Sequence, residues 1–328
     1  MEMLAKRGAF ILILILLGFC NKSIAQADSS YLKNKSDSIA KAKMDSLAKA
    51  KKSYFEVSLS YLSNAVYNGR HDSLVTPYIT PTIEYHNKSG FYINGSLSYL
   101  SNSEASRIDL FALEAGYDFT IIKDKFTGSV NATRSFYNDS STAIQSDIKA
   151  TLGGSLSYDF DIVQLTIEPE LLFGTKTDIS TNLSLAHEFD IANKKSLWSI
   201  SPTVSADAST LNFYEGYINR KAGKKAKARY PNVKTVTLVT TVNGGANTFT
   251  LMDYELSLPI AYDTKKWGIS FTPKLAIPQN SIYTTTTTTY TFKGTVTPPI
   301  VETQNSTPYT EKKLQNVFYF EVLAYVKF

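Results

Sequence analysis

The sequence predicts an all-β fold, an antiparallel transmembrane β-barrel of about twelve strands with short turns at one end and two long loops at the other. Three observations carry this. Apolar residues recur at every second position in segments along most of the chain, the connections between segments alternate short and long, and a short export segment precedes them. The last segment, Asn316 to Phe328, shows the alternation most plainly. Phe318, Phe320, Val322, Ala324, Val326 and Phe328 fall on one parity, and Tyr319, Glu321, Leu323, Tyr325 and Lys327 on the other. A period of two places the sets on opposite faces of a strand. Unpaired strand edges aggregate in water and are excluded from lipid, so a strand this apolar has to close onto a neighbour.

The amino end divides into two parts before that pattern begins. Lys6 and Arg7 precede the apolar run Ala9 to Phe19, and Ala25-Gln26-Ala27 supplies a small-x-small cleavage site, so residues 1–27 read as a secretory signal peptide. The run is shorter than the ~20 residues a spanning helix needs. Cys20, the only cysteine, follows the bulky Phe19 rather than the small residue a lipid-attachment site expects, and a chain cut after Ala27 has no thiol chemistry. Residues 28–52 repeat Asp37-Ser-Ile-Ala-Lys-Ala-Lys as Asp45-Ser-Leu-Ala-Lys-Ala-Lys, with too few apolar positions for a core, and read as a basic periplasmic tether. Charge is segregated. The whole chain carries +5, yet residues 1–27, 28–52 and 215–234 hold +2, +4 and +6, which leaves the strands and turns at −7.

Residues 53–328 are expected to form the barrel. Phe55, Val57, Leu59 and Tyr61 alternate with Glu56, Ser58 and Ser60, and Ile79, Pro81, Ile83 and Tyr85 with Thr80, Thr82 and Glu84. Phe91, Ile93, Leu97 and Tyr99 alternate with Tyr92, Asn94, Ser96 and Ser98. The rhythm continues through residues 111–121, 126–136, 148–160, 163–173, 181–191, 198–206, 254–262 and 267–277, each near the length of a tilted spanning strand. Pro81, Pro169, Pro202, Pro259 and Pro273 each remove a ladder donor, so bulges or bends are expected there. Thr235 to Val242 would make the strand number odd if it crossed. It therefore reads as an external hairpin extending the Thr248 to Tyr262 strand, and the threonine tract Tyr283 to Phe292 as the same device on the next strand.

Turn lengths fix which end is which. Connections at Asn87 to Gly90, Lys123 to Lys125, Asp161, Ala192 to Lys195 and Asp263 to Lys266 are short, and those between them are longer, above all Asp207 to Met252 and Pro278 to Lys313. With its signal segment, strand rhythm and aromatic last strand, the chain resembles the Gram-negative outer-membrane β-barrel proteins of porin-like form, whose periplasmic turns are tight and whose external loops are not. The resemblance is generic and points to no subfamily. It implies an outer-membrane location with both termini in the periplasm, contact with outer-membrane lipid and lipopolysaccharide, and delivery by the barrel-assembly machinery. Phe320, Val322, Val326 and Phe328 would be the assembly signal. A soluble barrel would instead bury the apolar parity and show the polar one to water. Strand number argues against that, because a dozen strands leave a lumen too wide for ordinary side chains to fill.

Few residues suit catalysis. Of three histidines, His187 has Leu185 and Phe189 as same-face neighbours, His86 precedes a turn, and His71 lies in a loop beside Asp72. No cluster of His, Cys and carboxylates has metal-ligand spacing, so neither metal nor cofactor is expected. The polar parity is more informative. Glu56, Glu84, Glu114, Asp118, Glu168, Glu170, Glu188, Asp253, Glu255 and Glu321 are expected to line the lumen, with Lys149 and Lys274 as opposing charges. A wet lumen of this kind favours cations or hydroxylated sugars over anions, whereas a closed one would use the same groups as an internal hydrogen-bond network. Tyr61, Tyr85, Tyr99, Tyr158, Trp198, Tyr262 and Trp267 read as an interfacial girdle. Arg220, Lys221, Lys224, Lys225, Lys227 and Arg229, in the longest external loop, offer charge to an anionic ligand such as lipopolysaccharide phosphate. Nucleic acid is not expected, because the run lacks aromatic interleaving.

Two functions fit these residues, a porin-like passage for small solutes or cations and a plugged barrel acting as a surface scaffold or binding protein through its last two large loops. A membrane-embedded hydrolase is a third, and the histidines give it no support. The terminal strand generates a test of assembly. Deleting Phe328 should slow barrel closure, read as delayed appearance of the heat-modifiable band on a gel, and closure at the normal rate would count against its role.

Overall fold

The computed structural model describes residues 52–306 and 314–328, apart from 72–74, 103–105, 124, 142, 194, 230–232, 243–244, 283 and 293–299. The expected signal segment and, except for Lys52, the expected tether lie outside the described residues. The alternating segments form twelve strands. The first six are β1 Tyr54–Leu62, β2 Tyr78–His86, β3 Phe91–Leu100, β4 Arg107–Ile122, β5 Phe126–Tyr137 and β6 Ala150–Asp159. Then come β7 Gln164–Phe173, β8 Thr177–Ala186 extended by Phe189–Ala192, and β9 Ser196–Ile200 with Thr203–Ser209. The last three are β10 Thr250–Ser257 with Ile260–Thr264, β11 Trp267–Pro278 and β12 Val317–Lys327. Each pairs antiparallel with its neighbours in sequence, and β12 pairs with both β11 and β1, so the sheet closes. The closing register runs from Glu56↔Lys327 to Leu62↔Glu321. At its end Phe328 N donates to Phe55 O at 2.9 Å and Phe55 N to Phe328 O at 3.3 Å.

The two parities separate inside from outside. Phe55, Leu59, Ile83, Ile93, Val130, Leu152 and Leu183 project outward, with Phe55 54% and Ile83 62% exposed, while Glu56, Ser58, Ser60, Thr82, Glu84, Asn94 and Ser96 are buried. This is the inverse of a soluble barrel, and apolar exposure on this scale is stable only against hydrocarbon. Aromatic rings gather at the end that holds the start of β1 and Phe328, where Trp198 lies 4.8 Å from Tyr262, Tyr262 5.5 Å from Trp267, and Phe55 4.9 Å from Tyr85, centroid to centroid.

The prolines behave in two ways. Pro202 and Pro259 fall in the breaks of β9 and β10, which are bridged by Ser201 N donating to Pro259 O at 2.9 Å. The β2–β3 register skips Thr80 and Pro81, and the β6–β7 register skips Glu168 and Pro169. Pro273 differs from expectation, since β11 runs through it without a break, opposite Phe320. Its carbonyl accepts from Leu258 N at 3.1 Å. In an antiparallel strand the N–H and C=O of a residue point the same way. The missing donor of Pro273 therefore faces the gap in β10, where no ladder bond is lost.

Loops fold over the other end. Helix α1, Asn212–Arg229, starts against β8, where the buried Asp178 accepts from Asn212 N and Phe213 N at 2.7 Å each and from Thr210 Oγ1 at 2.5 Å. A carboxylate there satisfies orphan helix donors and complements the helix dipole. Phe213, Tyr214 and Tyr217 on one face of α1 then pack with Ile144, Ile148, Leu172, Leu211, Met252 and Ile282.

Three further strands form a separate sheet, with Thr284–Phe292 between Val233–Val242 and Ile300–Ser306. This corrects the expectation that Thr235 to Val242 extends the β10 strand. The turn before β10 is pinned, because Ala246 O accepts from Leu211 N at 2.7 Å and Asn212 Nδ2 donates to Asn247 Oδ1 at 2.9 Å. The β-branched segment pairs with the threonine tract of the other long loop instead. Likewise β9 and β10 run further than expected and take in Asp207 and Met252.

The Asp178 clasp is testable. Asp178→Ala removes charge-assisted bonds worth about 2 kcal/mol in sum, so cleavage within α1 by added trypsin should quicken by about thirtyfold while the barrel's heat-modifiable migration stays unchanged.

Candidate functional site in the barrel interior

Register brings the inward carboxylates into rows. One row crosses β12 to β4 as Lys327, Glu56, Glu84, Asn94 and Glu114. Lys327 Nζ lies 4.0 Å from Glu56 Oε2, while Glu114 accepts from Thr133 Oγ1 at 2.9 Å and Asn94 Nδ2 at 3.4 Å. A second row crosses β7 to β10 as Glu168, Asn182, Asp207 and Asp253, with Asn182 Nδ2 donating to Asp207 Oδ1 at 2.9 Å. Beside the second row run hydroxyls, Ser157 facing Thr166 at 2.8 Å and Ser184 beside Ser205.

Most residues expected on the lumen side are buried. Glu56, Glu84, Glu114, Glu168, Asp253, Glu255, Lys274 and Glu321 are each under a tenth exposed, whereas Asp118, Glu170 and Glu188 are half-buried. Lys149 differs in exposure. It precedes β6 and is exposed at the loop end, where its backbone continues the ladder by donating to Phe173 O at 2.7 Å and accepting from Ser135 N at 2.9 Å. Glu255, Lys274 and Tyr319 form a knot in which the Tyr319 hydroxyl donates to Glu255 and Lys274 Nζ sits 3.9 Å from Glu255 Oε1. His86 contacts Glu84 and stacks 4.8 Å from Tyr54, and His187 lies 4.2 Å from the Phe189 ring. His71 closes a hairpin, and Asp72 lies outside the described residues. Among the described residues no group of three His, Cys, Asp or Glu side chains is placed to hold a metal.

That hairpin was not anticipated. Val66–Tyr67 pairs with Arg70–His71 around Asn68 and Gly69, at φ of 48° and 72°, a two-residue turn with both central residues left-handed. The Asn-Gly pair is its signature in sequence. The hairpin tucks inward, so a Cβ on Gly69 would lie 2.7 Å from Asp253 Cβ. Arg70, buried, donates to Asn68 O at 2.6 Å and to Asn280 O. Tyr67 meets Phe213 edge-on at 5.1 Å, joining the hairpin to the apolar cluster under α1. Burial, then the charges of Glu170, Asp178 and Asp207, push the Tyr67 phenol well above its ordinary range and keep it neutral.

The basic run lies on helix α1, within the long connection between β9 and β10. Arg220 is turned inward, donating to Ser146 O at 3.0 Å and to Ser146 Oγ, and burial lowers its pKa. Its packing against the 3₁₀ turn Ile144–Asp147 leaves it little use as a surface anion contact. Arg229 is exposed, and the side chains of Lys221, Lys224, Lys225 and Lys227 lie outside the described residues.

The wall of β5 remains partly accessible. On β5 the inward Thr127, Ser129, Thr133, Ser135 and Tyr137 are all half-buried, whereas the inward residues of β2, β3 and β9 are buried, as are those of β8 over Thr177–Ala186. Small hydroxylated side chains leave space there that long ones fill elsewhere. A closed twelve-stranded sheet, apolar outside and acidic and hydroxylic inside, decides the class. This is a closed transmembrane β-barrel.

The barrel is similar to several solved outer-membrane proteins. They include the NanC porin, at 10% identity over 83% of this chain and 98% of that one with a TM-score of 0.40. OmpF of Salmonella typhi in complex with daunomycin matches at 9% identity over 84% and 97%, with a TM-score of 0.29. The outer-membrane channel DcaP of Acinetobacter baumannii matches at 8% over 84% and 96%, with a TM-score of 0.28. No family model matches the chain, and no curated protein does.

The Glu255 knot predicts a specific stability series. Glu255→Leu strands the buried Lys274 and should cost about 3 kcal/mol or more, Glu255→Gln much less, and Lys274→Met should recover most of the loss in the Leu background. Midpoints of denaturant unfolding in detergent report all three.

Proposed function

We propose that the chain is a narrow outer-membrane passage for small cations or hydroxylated solutes, with the inner face of β5 as its conducting wall, the termini in the periplasm and the long loops outside. The observation that supports this is the accessibility of Thr127, Ser129, Thr133 and Ser135 in an interior whose other walls are mostly buried. Half-buried Asp118 and Glu170 flank that wall on β4 and β7. Carboxylates along a narrow polar track attract cations and repel anions.

A second reading has its own support. The Val66–His71 hairpin and α1 fill much of the loop end with apolar side chains, which suits a plugged barrel whose external sheet and helix meet a partner. Conductance separates the two. Refolded protein in planar bilayers under a KCl gradient should show discrete cation-preferring steps. Glu170→Gln should lower the cation-to-anion permeability ratio by about threefold, as expected for about 0.65 kcal/mol of screened attraction, and Glu168→Gln, on the buried row, should change it less. Absence of any conductance would favour the scaffold.

A further inference from the structure

The β5 wall is not accessible along its whole length. Ser129 on one side and Thr133 and Ser135 on the other are half-buried, but Asn131 between them is only 4% exposed. Its neighbours in register are both glycines, Gly116 on β4 and Gly153 on β6. The two are used differently. The Tyr92 ring lies across Gly116, where a Cβ would come within 2.4 Å of it, and the Asn131 amide lies across Gly153, where a Cβ would meet Oδ1 at 2.8 Å. Glu170 Cγ comes within 3.5 Å of that same point, so the amide and the Glu170 side chain share the space above Gly153. Neither Oδ1 nor Nδ2 of Asn131 has a hydrogen-bond partner, although the side chain is buried. A buried amide without partners retains its full capacity to bind polar groups, and it is unfavourable unless something meets it.

Resting on the passage reading above, we infer that Asn131, laid over Gly153 beside Glu170, is the constriction of the passage and the point at which a monovalent cation exchanges water for protein oxygens. Glu114 adds charge one row away, its carboxylate held by Thr133 and Asn94. The amide contributes a neutral oxygen and Glu170 a charged one, a pairing that suits K⁺ or a small primary ammonium and rejects anions. Because the accessible wall is interrupted at Asn131, the passage has two vestibules. Ser129 lies in the one on the side of the termini, and Thr133 and Ser135 lie in the one on the side of the loops.

Bilayer conductance in KCl tests this with four variants. Asn131→Ala should raise single-channel conductance by about twofold and Gly153→Leu, which drives the amide into the track, should lower it by about fivefold. Should Gly153→Leu fail to close its barrel, Gly153→Ala, which needs only a small shift of the amide, should still lower conductance. Ser129→Cys and Thr133→Cys should each be blocked by a cationic thiol reagent added from one side only, and from opposite sides. Ser184→Cys on the buried wall should not be blocked. Wild-type protein that conducts but is indifferent to Asn131→Ala and Gly153→Ala, or cysteines at 129 and 133 that react from the same side, would overturn the constriction and leave the passage standing. Wild-type protein that does not conduct would instead remove the passage itself.

Discussion

Backbone closure is the constraint on which everything else in this molecule depends. Hydrocarbon offers no partner for a free N–H or C=O, so each strand must be paired on both sides, and the last must find the first. The β12 strand does this by taking β11 on one side and β1 on the other, down to the mutual bonds of Phe55 and Phe328. Once the circle is closed, parity has only two meanings, lipid or lumen. Phe55 and Ile83 then have no alternative to lipid, nor Glu56 and Glu84 to the interior.

A closed circle of this size encloses more room than strand side chains ordinarily fill. Three devices occupy it. Long residues lie flat across inward glycines, as Tyr92 does on Gly116 and Tyr325 on Gly268. Ionic knots such as Glu255, Lys274 and Tyr319 span neighbouring strands. At the loop end the Val66–His71 hairpin and the aromatic face of α1 come in from outside. Where none of these reaches, on the serine and threonine side of β5, the wall stays accessible. The same acidic parity thus serves two ends, internal cohesion on most strands and a charged margin to the accessible wall of β5.

Charge inside a barrel is tolerable only when it is held. Glu114 has Thr133 and Asn94, Asp207 has Asn182, and Asp178 has the start of a helix. The last case ties the folding of a loop to the rim of the barrel, since α1 is capped by a residue of β8 rather than by one of its own. The external strands are joined by the same logic, with segments from two different loops completing each other's ladders.

The sequence by itself determined the strands, their faces and the alternation of tight turns with long loops, because a period of two and the residues that break it are local properties. It showed the carboxylates of the interior for the same reason, since Glu56 and Glu168 share parity with the serines around them. The inward turn of Arg220 is not legible there, because that side chain is held by Ser146, 74 residues away. Asn68-Gly69 was legible as a turn, but nothing local says that this hairpin points into the barrel against Asp253. Tertiary structure alone decided that, along with the pairing of Val233–Val242 with Thr284–Phe292 and the seating of Asn131 over Gly153. Each depends on which strands become neighbours when the circle closes, and closure is a property of the whole sheet that no single segment encodes.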